Sequence, residues 1–122
     1  MSATDYLETA VLNALRGTPL DINDTYVKLH IGNPGETASA NAAGNTERQA
    51  VSFGVPSGGT MASSAAVSWI GVSDTETYTH FSIWDAAVAG NALGYAALTT
   101  SKAISAGDDA TFPSGLLTWT VA

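Results

Sequence analysis

His30 and His80 are the side chains to weigh first, because an imidazole is both a common metal ligand and a common general base near neutral pH. They are the only histidines in the chain. His30 lies in the alternating run Thr25 to Ile31, and His80 lies in the run Thr77 to Trp84. Two neighbouring strands would bring them together. A zinc site takes three or four ligands, and neither histidine has an acidic or histidine partner four residues after it. Solvated or interfacial histidines are expected, and no bound metal. The acidic pairs Asp108-Asp109 and Asp74-Thr75-Glu76 fall in turns, without the twelve-residue spacing of a calcium loop. Ser57-Gly58-Gly59 lacks the pattern of a nucleophile elbow, and it lacks the lysine and helix of a phosphate loop. It reads as a hairpin loop. The sequence therefore names no catalytic residue and no cofactor.

The elements that hold these side chains are mostly strands. The central one is a hairpin spanning Thr75 to Leu98. In its first arm Thr77, Thr79, Phe81 and Ile83 share one face, and Tyr78, His80, Ser82 and Trp84 share the other. Gly90-Asn91 supplies the reversal, and Leu93, Tyr95 and Ala97 share a face of the return arm. In Thr25 to Ile31, the alternation puts Val27, Leu29 and Ile31 inward and Tyr26, Lys28 and His30 outward. Further strands are expected at Arg48 to Phe53, Ala65 to Val72, Lys102 to Ser105, Asp109 to Phe112 and Leu116 to Val121. In the last of these Leu117, Trp119 and Val121 share a face. Glu36 to Thr46 is small, polar and aperiodic, and reads as an exposed loop.

One helix precedes the strands, about Thr4 to Arg16. Leu7, Ala10, Val11, Ala14 and Leu15 form an apolar stripe. Ser2 or Thr4 can cap its start, Gly17 can take the C′ position, and Pro19 prevents continuation. Packing on the core is the default role for the stripe, and a partner interface is the alternative. Together these signals predict one all-β domain over residues 1–122: an antiparallel sandwich or jelly-roll-like barrel with an N-terminal helix. The expected core includes Val27, Leu29, Val51, Phe53, Phe81, Ile83, Leu117 and Trp119.

Composition narrows the function. The 122 residues carry four basic and eleven acidic side chains, a net charge of −7. Nucleic acid is a poor partner for such a chain, since phosphate binding needs clustered Lys and Arg. Cysteine is absent, so no disulfide forms. No stretch approaches the apolar length of a membrane span, and the N-terminus lacks the features of a secretory signal. Folding in a host cytoplasm with later release by lysis fits both observations.

Several segments carry a resemblance. They are Leu12-Asn13-Ala14-Leu15-Arg16-Gly17-Thr18, and Tyr26-Val27-Lys28-Leu29-His30 running into Gly32-Asn33-Pro34-Gly35-Glu36. They continue with Glu47-Arg48-Gln49-Ala50-Val51-Ser52-Phe53-Gly54, Thr79-His80-Phe81-Ser82-Ile83-Trp84-Asp85-Ala86 and Leu93-Gly94-Tyr95-Ala96-Ala97-Leu98-Thr99. The chain closes with Ala106-Gly107-Asp108 and Phe112-Pro113-Ser114-Gly115-Leu116-Leu117. In this order, over nearly the whole chain, they resemble a family of small phage virion proteins labelled tail-fibre or minor tail proteins. Lys28 and Ile31 depart from that pattern, where a small residue and a threonine are expected. The resemblance implies a structural virion protein without catalytic residues. The size suits a capsid decoration protein, usually a trimer, or a bead on a tail or fibre.

Two functions are therefore weighed. The first is symmetric protein–protein assembly on the virion, as a homotrimer contacting phage capsid or tail proteins. Its candidate interface residues are Leu7, Val11, Tyr26, His30, Tyr78 and His80. The second is recognition of a host surface glycan on Trp69, Trp84, Tyr78 or Tyr95. That second role needs at least one ring open to a groove with polar neighbours.

Overall fold

A computed structural model describes residues 2–120. Val121, expected on the face of Leu117 and Trp119, lies outside the described residues. The strands are β1 (Ser2–Ala3), β2 (Thr25–His30), β3 (Gln49–Val51), β4 (Thr60–Ala62), β5 (Val67–Trp69), β6 (Glu76–Trp84), β7 (Ala92–Ile104), β8 (Ala110–Phe112) and β9 (Thr118–Thr120). The helix α1 (Asp5–Leu15) follows β1. Five strands form an antiparallel sheet in the order β1-β7-β6-β2-β3, and β4-β9 and β5-β8 form two-stranded ribbons. The protein is thus all-β with one N-terminal helix. The described strands make no closed barrel.

The ribbons pack on the sheet, β5 beside β3 and β9 beside β7. One apolar core runs through all three units, from Leu7 to Trp119. Val27, Leu29, Val51, Phe81, Ile83, Leu117 and Trp119 are buried as expected, with Phe53 half-buried against them. Trp69 is fully buried, edge-on to Phe112 at 5.8 Å between centroids, and its indole N–H donates to the Glu47 carbonyl at 2.9 Å.

The helix ends follow the sequence signals. Thr4 is the N-cap, and its hydroxyl accepts the Leu7 N–H at 3.3 Å. At the other end, Gly17 N–H donates to Ala14 O and Thr18 N–H to Asn13 O, with Gly17 at φ 99°. That is the paired Schellman closure, which needs a residue free to adopt a left-handed backbone.

The hairpin is longer than expected. The stretch predicted as a separate strand at Lys102 to Ser105 is the far end of β7, where Lys102, Ala103 and Ile104 pair with Tyr78, Thr77 and Glu76. The polar run Thr99-Thr100-Ser101 looks like a break in the sequence but stays extended. The register slips there, between the Tyr78–Lys102 and His80–Ala97 pairs, and slips again between Ile83–Gly94 and Trp84–Ala92. Each irregularity shifts which side chains point inward. Tyr78 consequently joins Phe81 and Ile83 in the core, and Leu93, Gly94, Ala96 and Leu98 are the buried residues of β7. Opposite Phe81 and Ile83 sit Ala96 and Gly94, so small residues face large ones across the pair.

Candidate binding surface

The outer face of the sheet is organised by cross-strand pairs. Tyr26 stands opposite Trp84, Lys28 opposite Ser82, and His30 opposite His80. The two histidines thus do meet across β2 and β6, but their ring nitrogens are engaged separately. His80 Nδ1 lies 2.8 Å from the Thr79 hydroxyl. His30 Nδ1 lies 3.0 Å from Ala40 O, and its Nε2 lies 2.7 Å from Ser82 Oγ.

The assignment of His30 to solvent is corrected by the structure: the side chain is fully buried. The cover is the segment from Gly32 to Ala43, which takes in much of the loop Glu36 to Thr46 expected to be exposed; it buries Pro34, Ala38 and Ala43 and carries the Ala40 carbonyl. Burial holds the His30 imidazole near pKa 4, against smaller opposing help from backbone hydrogen bonds to Ala40 and Asn41. The ring is therefore neutral at pH 7. A carbonyl can only accept, so Nδ1 carries the proton, donates to Ala40 O, and leaves Nε2 to accept from Ser82. Ser82 Oγ in turn accepts the Trp84 indole N–H at 2.8 Å. A serine beside a histidine at this distance has the outline of a nucleophile and its base. Here Ser82 is fully buried and already holds two partners.

Two other members of the interface set are also internal. Leu7 is the buried residue of α1, and Tyr78 is fully buried with its hydroxyl unpartnered. The tyrosine's phenol is pushed up by burial and by the nearby Glu76 and Asp74 charges. Val11 remains exposed, while Tyr26 and His80 are half-buried. Trp69 and Tyr78 are likewise closed to a sugar, which leaves Trp84 and Tyr95 from the four candidate rings.

Trp84 is held from two sides. The Arg48 guanidinium lies 3.6 Å from its ring centroid and donates through Nη1 to the Ala86 and Ala89 carbonyls, at 2.8 and 2.6 Å. Those carbonyls belong to the hairpin loop, so one cation fastens loop and ring together. The ring also lines a groove of about 300 Å³ where the start of α1, the Glu36-Thr37 segment and the hairpin loop converge. Asp5, Tyr6, Glu36, Thr37 and Asn91 line it too. Glu36 accepts a hydrogen bond from the Tyr95 hydroxyl at 3.2 Å. Carboxylate oxygens of Asp5, Glu8 and Glu36 come within 4.8 Å of one another, all on exposed residues. Neither Tyr6 nor Glu36 was singled out from the sequence. Tyr6 is off the apolar stripe of α1, and Glu36 sits in an aperiodic loop, so no spacing ties either to Trp84.

Residues 2–120 match the family model described as podophage GP4 fiber I protein gp80. The chain belongs to that family. As a phage fibre family protein it is a structural component of the virion, in line with the resemblance of its segments to tail-fibre proteins. No curated protein matches the chain. Among the described residues of this fibre protein, no helix is long and apolar enough to cross a membrane.

Proposed function

We propose that this fibre-family protein works by assembling with copies of itself, as a three-fold cluster, and with other phage virion proteins. The observation that carries the reading is the uncovered face of α1. Val11, Leu12 and Leu15 are exposed at 43, 62 and 80 % respectively. The stripe Leu7, Ala10, Val11, Ala14 and Leu15 is expected from its spacing to pack on the core, but only Leu7 of the helix is buried in the fold. Large apolar side chains gathered on one face mark an interaction surface, and closed symmetry is the usual way to cover it. The fibre family favours a place on the tail over a capsid decoration role. Sedimentation of the purified chain and of Leu12→Asp/Leu15→Asp tests it. The parent should form a discrete oligomer, stronger at high salt because like charges repel at net −7. The double variant should be a folded monomer. A parent that is monomeric at every salt concentration and binds neither tails nor capsids overturns the proposal.

A second reading, recognition of a host surface glycan, is supported by one observation. Trp84 is a ring beside a groove with polar neighbours, the arrangement that this role requires.

A further inference from the structure

Tyr6 divides two hollows. On one side is the 300 Å³ groove of Trp84, Asp5, Glu36 and Asn91. On the other is a hollow of about 590 Å³, formed where Thr18 to Asp21 folds back along α1 and lined also by Asn13. Asp5 and Tyr6 belong to both, so the two read as one elongated surface with a tyrosine ridge at its middle. Tyr6 is 45 % exposed.

We propose that this surface binds an uncharged oligosaccharide, with a sugar ring on Tyr6 and neighbouring residues of the chain lying in the two hollows. The proposal rests on the glycan reading above and gives it a place and a ligand class. A sugar presents a flat C–H face and a rim of hydroxyls. The first suits aromatic rings such as Tyr6 and Trp84. The second suits acceptors that take two neighbouring hydroxyls, which Asp5, Glu36 and Asp21 supply, and amides that both donate and accept, which Asn13 and Asn91 supply. The charge selects the class. None of Arg16, Lys28, Arg48 and Lys102 lines either hollow. The nearest cation, Arg48, is held on Trp84 and the loop carbonyls. Three carboxylates and a net charge of −7 repel sialylated, uronic or phosphorylated sugars. Open hollows of this kind bind one chain weakly, and several copies on one particle multiply that affinity through effective concentration.

The test is ligand-observed NMR and tryptophan fluorescence on the purified full chain. The probes are maltohexaose, chitohexaose and yeast mannan as neutral glycans, with polygalacturonate and polysialic acid as anionic ones. Trp69 and Trp119 are buried, so a fluorescence response reports chiefly on Trp84. At least one neutral probe should bind. Tyr6→Ala and Glu36→Gln, both on exposed side chains, should weaken it tenfold or more, while Val88→Ala on the exposed hairpin loop should not. Preference for the anionic polymers overturns the inference. Neutral binding that ignores both groove variants overturns this site and leaves the glycan reading standing elsewhere on the protein. Binding of none of the five probes removes site and glycan reading together, and leaves the assembly proposal untouched.

Discussion

His30 Nε2 sits 2.7 Å from Ser82 Oγ, and both side chains are fully buried. The pair joins β2 to β6, and the chain Trp84→Ser82→His30→Ala40 of donated hydrogen bonds extends it to the covering loop. The arrangement has one acceptor slot at Nε2, and a second proton on the ring would remove it.

Acid should therefore weaken the fold through His30. Its folded pKa, about 4, lies below the ordinary value of 6.5. Between those values the unfolded chain binds more protons, so stability falls as pH drops from about 6.5 towards 4 and levels off below. The contribution is about 3 kcal/mol over that window, at about 1.4 kcal/mol for each pH unit. Urea titrations of the parent and of His30→Gln from pH 4 to pH 7 measure it. The difference between the two should shrink steadily with acidification, and a constant difference would refute the assignment.

Phe81 lies between Leu29 on β2 and Ala96 on β7, with no exposed surface. Phe81→Ala should cost about 3–5 kcal/mol in chemical denaturation, the usual range for emptying a core aromatic site. A loss under about 1 kcal/mol would mean that the ring is not in the core.

Thr4 performs two tasks with one hydroxyl. It caps α1 through Leu7 N–H and donates to the Ala92 carbonyl at 2.6 Å, beside the irregular start of β7. Thr4→Ala should lower stability by about 1–2 kcal/mol. Thr4→Ser keeps the hydroxyl and should recover most of the loss. Equal damage from both variants would point to the methyl group instead.

Gly90 holds the hairpin loop at φ 73°, and a Cβ there would sit 2.5 Å from Asp85 Oδ1. That oxygen accepts the Asn91 N–H at 2.7 Å. Gly90→Ala should cost about 1–3 kcal/mol through backbone strain and should loosen the loop. Amide exchange at Asn91, faster in the variant than in the parent, would report the loosening. Unchanged exchange and unchanged stability would show that the loop does not depend on this contact.

Helix α1 was legible because its caps are local: Thr4, Gly17 and Pro19 act within one turn of the ends they fix. The cores of β2 and β6 were legible because Val27, Leu29, Phe81 and Ile83 alternate cleanly. The outer face was misread at His30, Ser82 and Tyr78, for two reasons that local spacing does not carry. A loop of small residues folds over His30 and Ser82, and a slip in register turns Tyr78 inward. β1 and β4 were not foreseen. The Trp84 surface was half visible. The ring was a candidate, but Tyr6, Glu36 and Asn91 reach it from three separate parts of the chain.

The pairing of β1 with β7 also sets a timetable. Ser2 bonds opposite Tyr95 and Ala3 opposite Gly94, and Thr4 N–H donates to Leu93 O. Thr4 thus waits for partners 88 and 89 residues further along the chain. A helix of eleven residues is marginal by itself in water. We expect α1 to be seated only after β7 has been made, late in a fold whose pairings are distant and hence slow to close. Nascent chains would then lack an ordered helix face, and only finished subunits would present Val11, Leu12 and Leu15 to one another. A deletion of residues 1–3 should refold with a disordered α1, whereas the parent should gain its helical signal in the slowest phase.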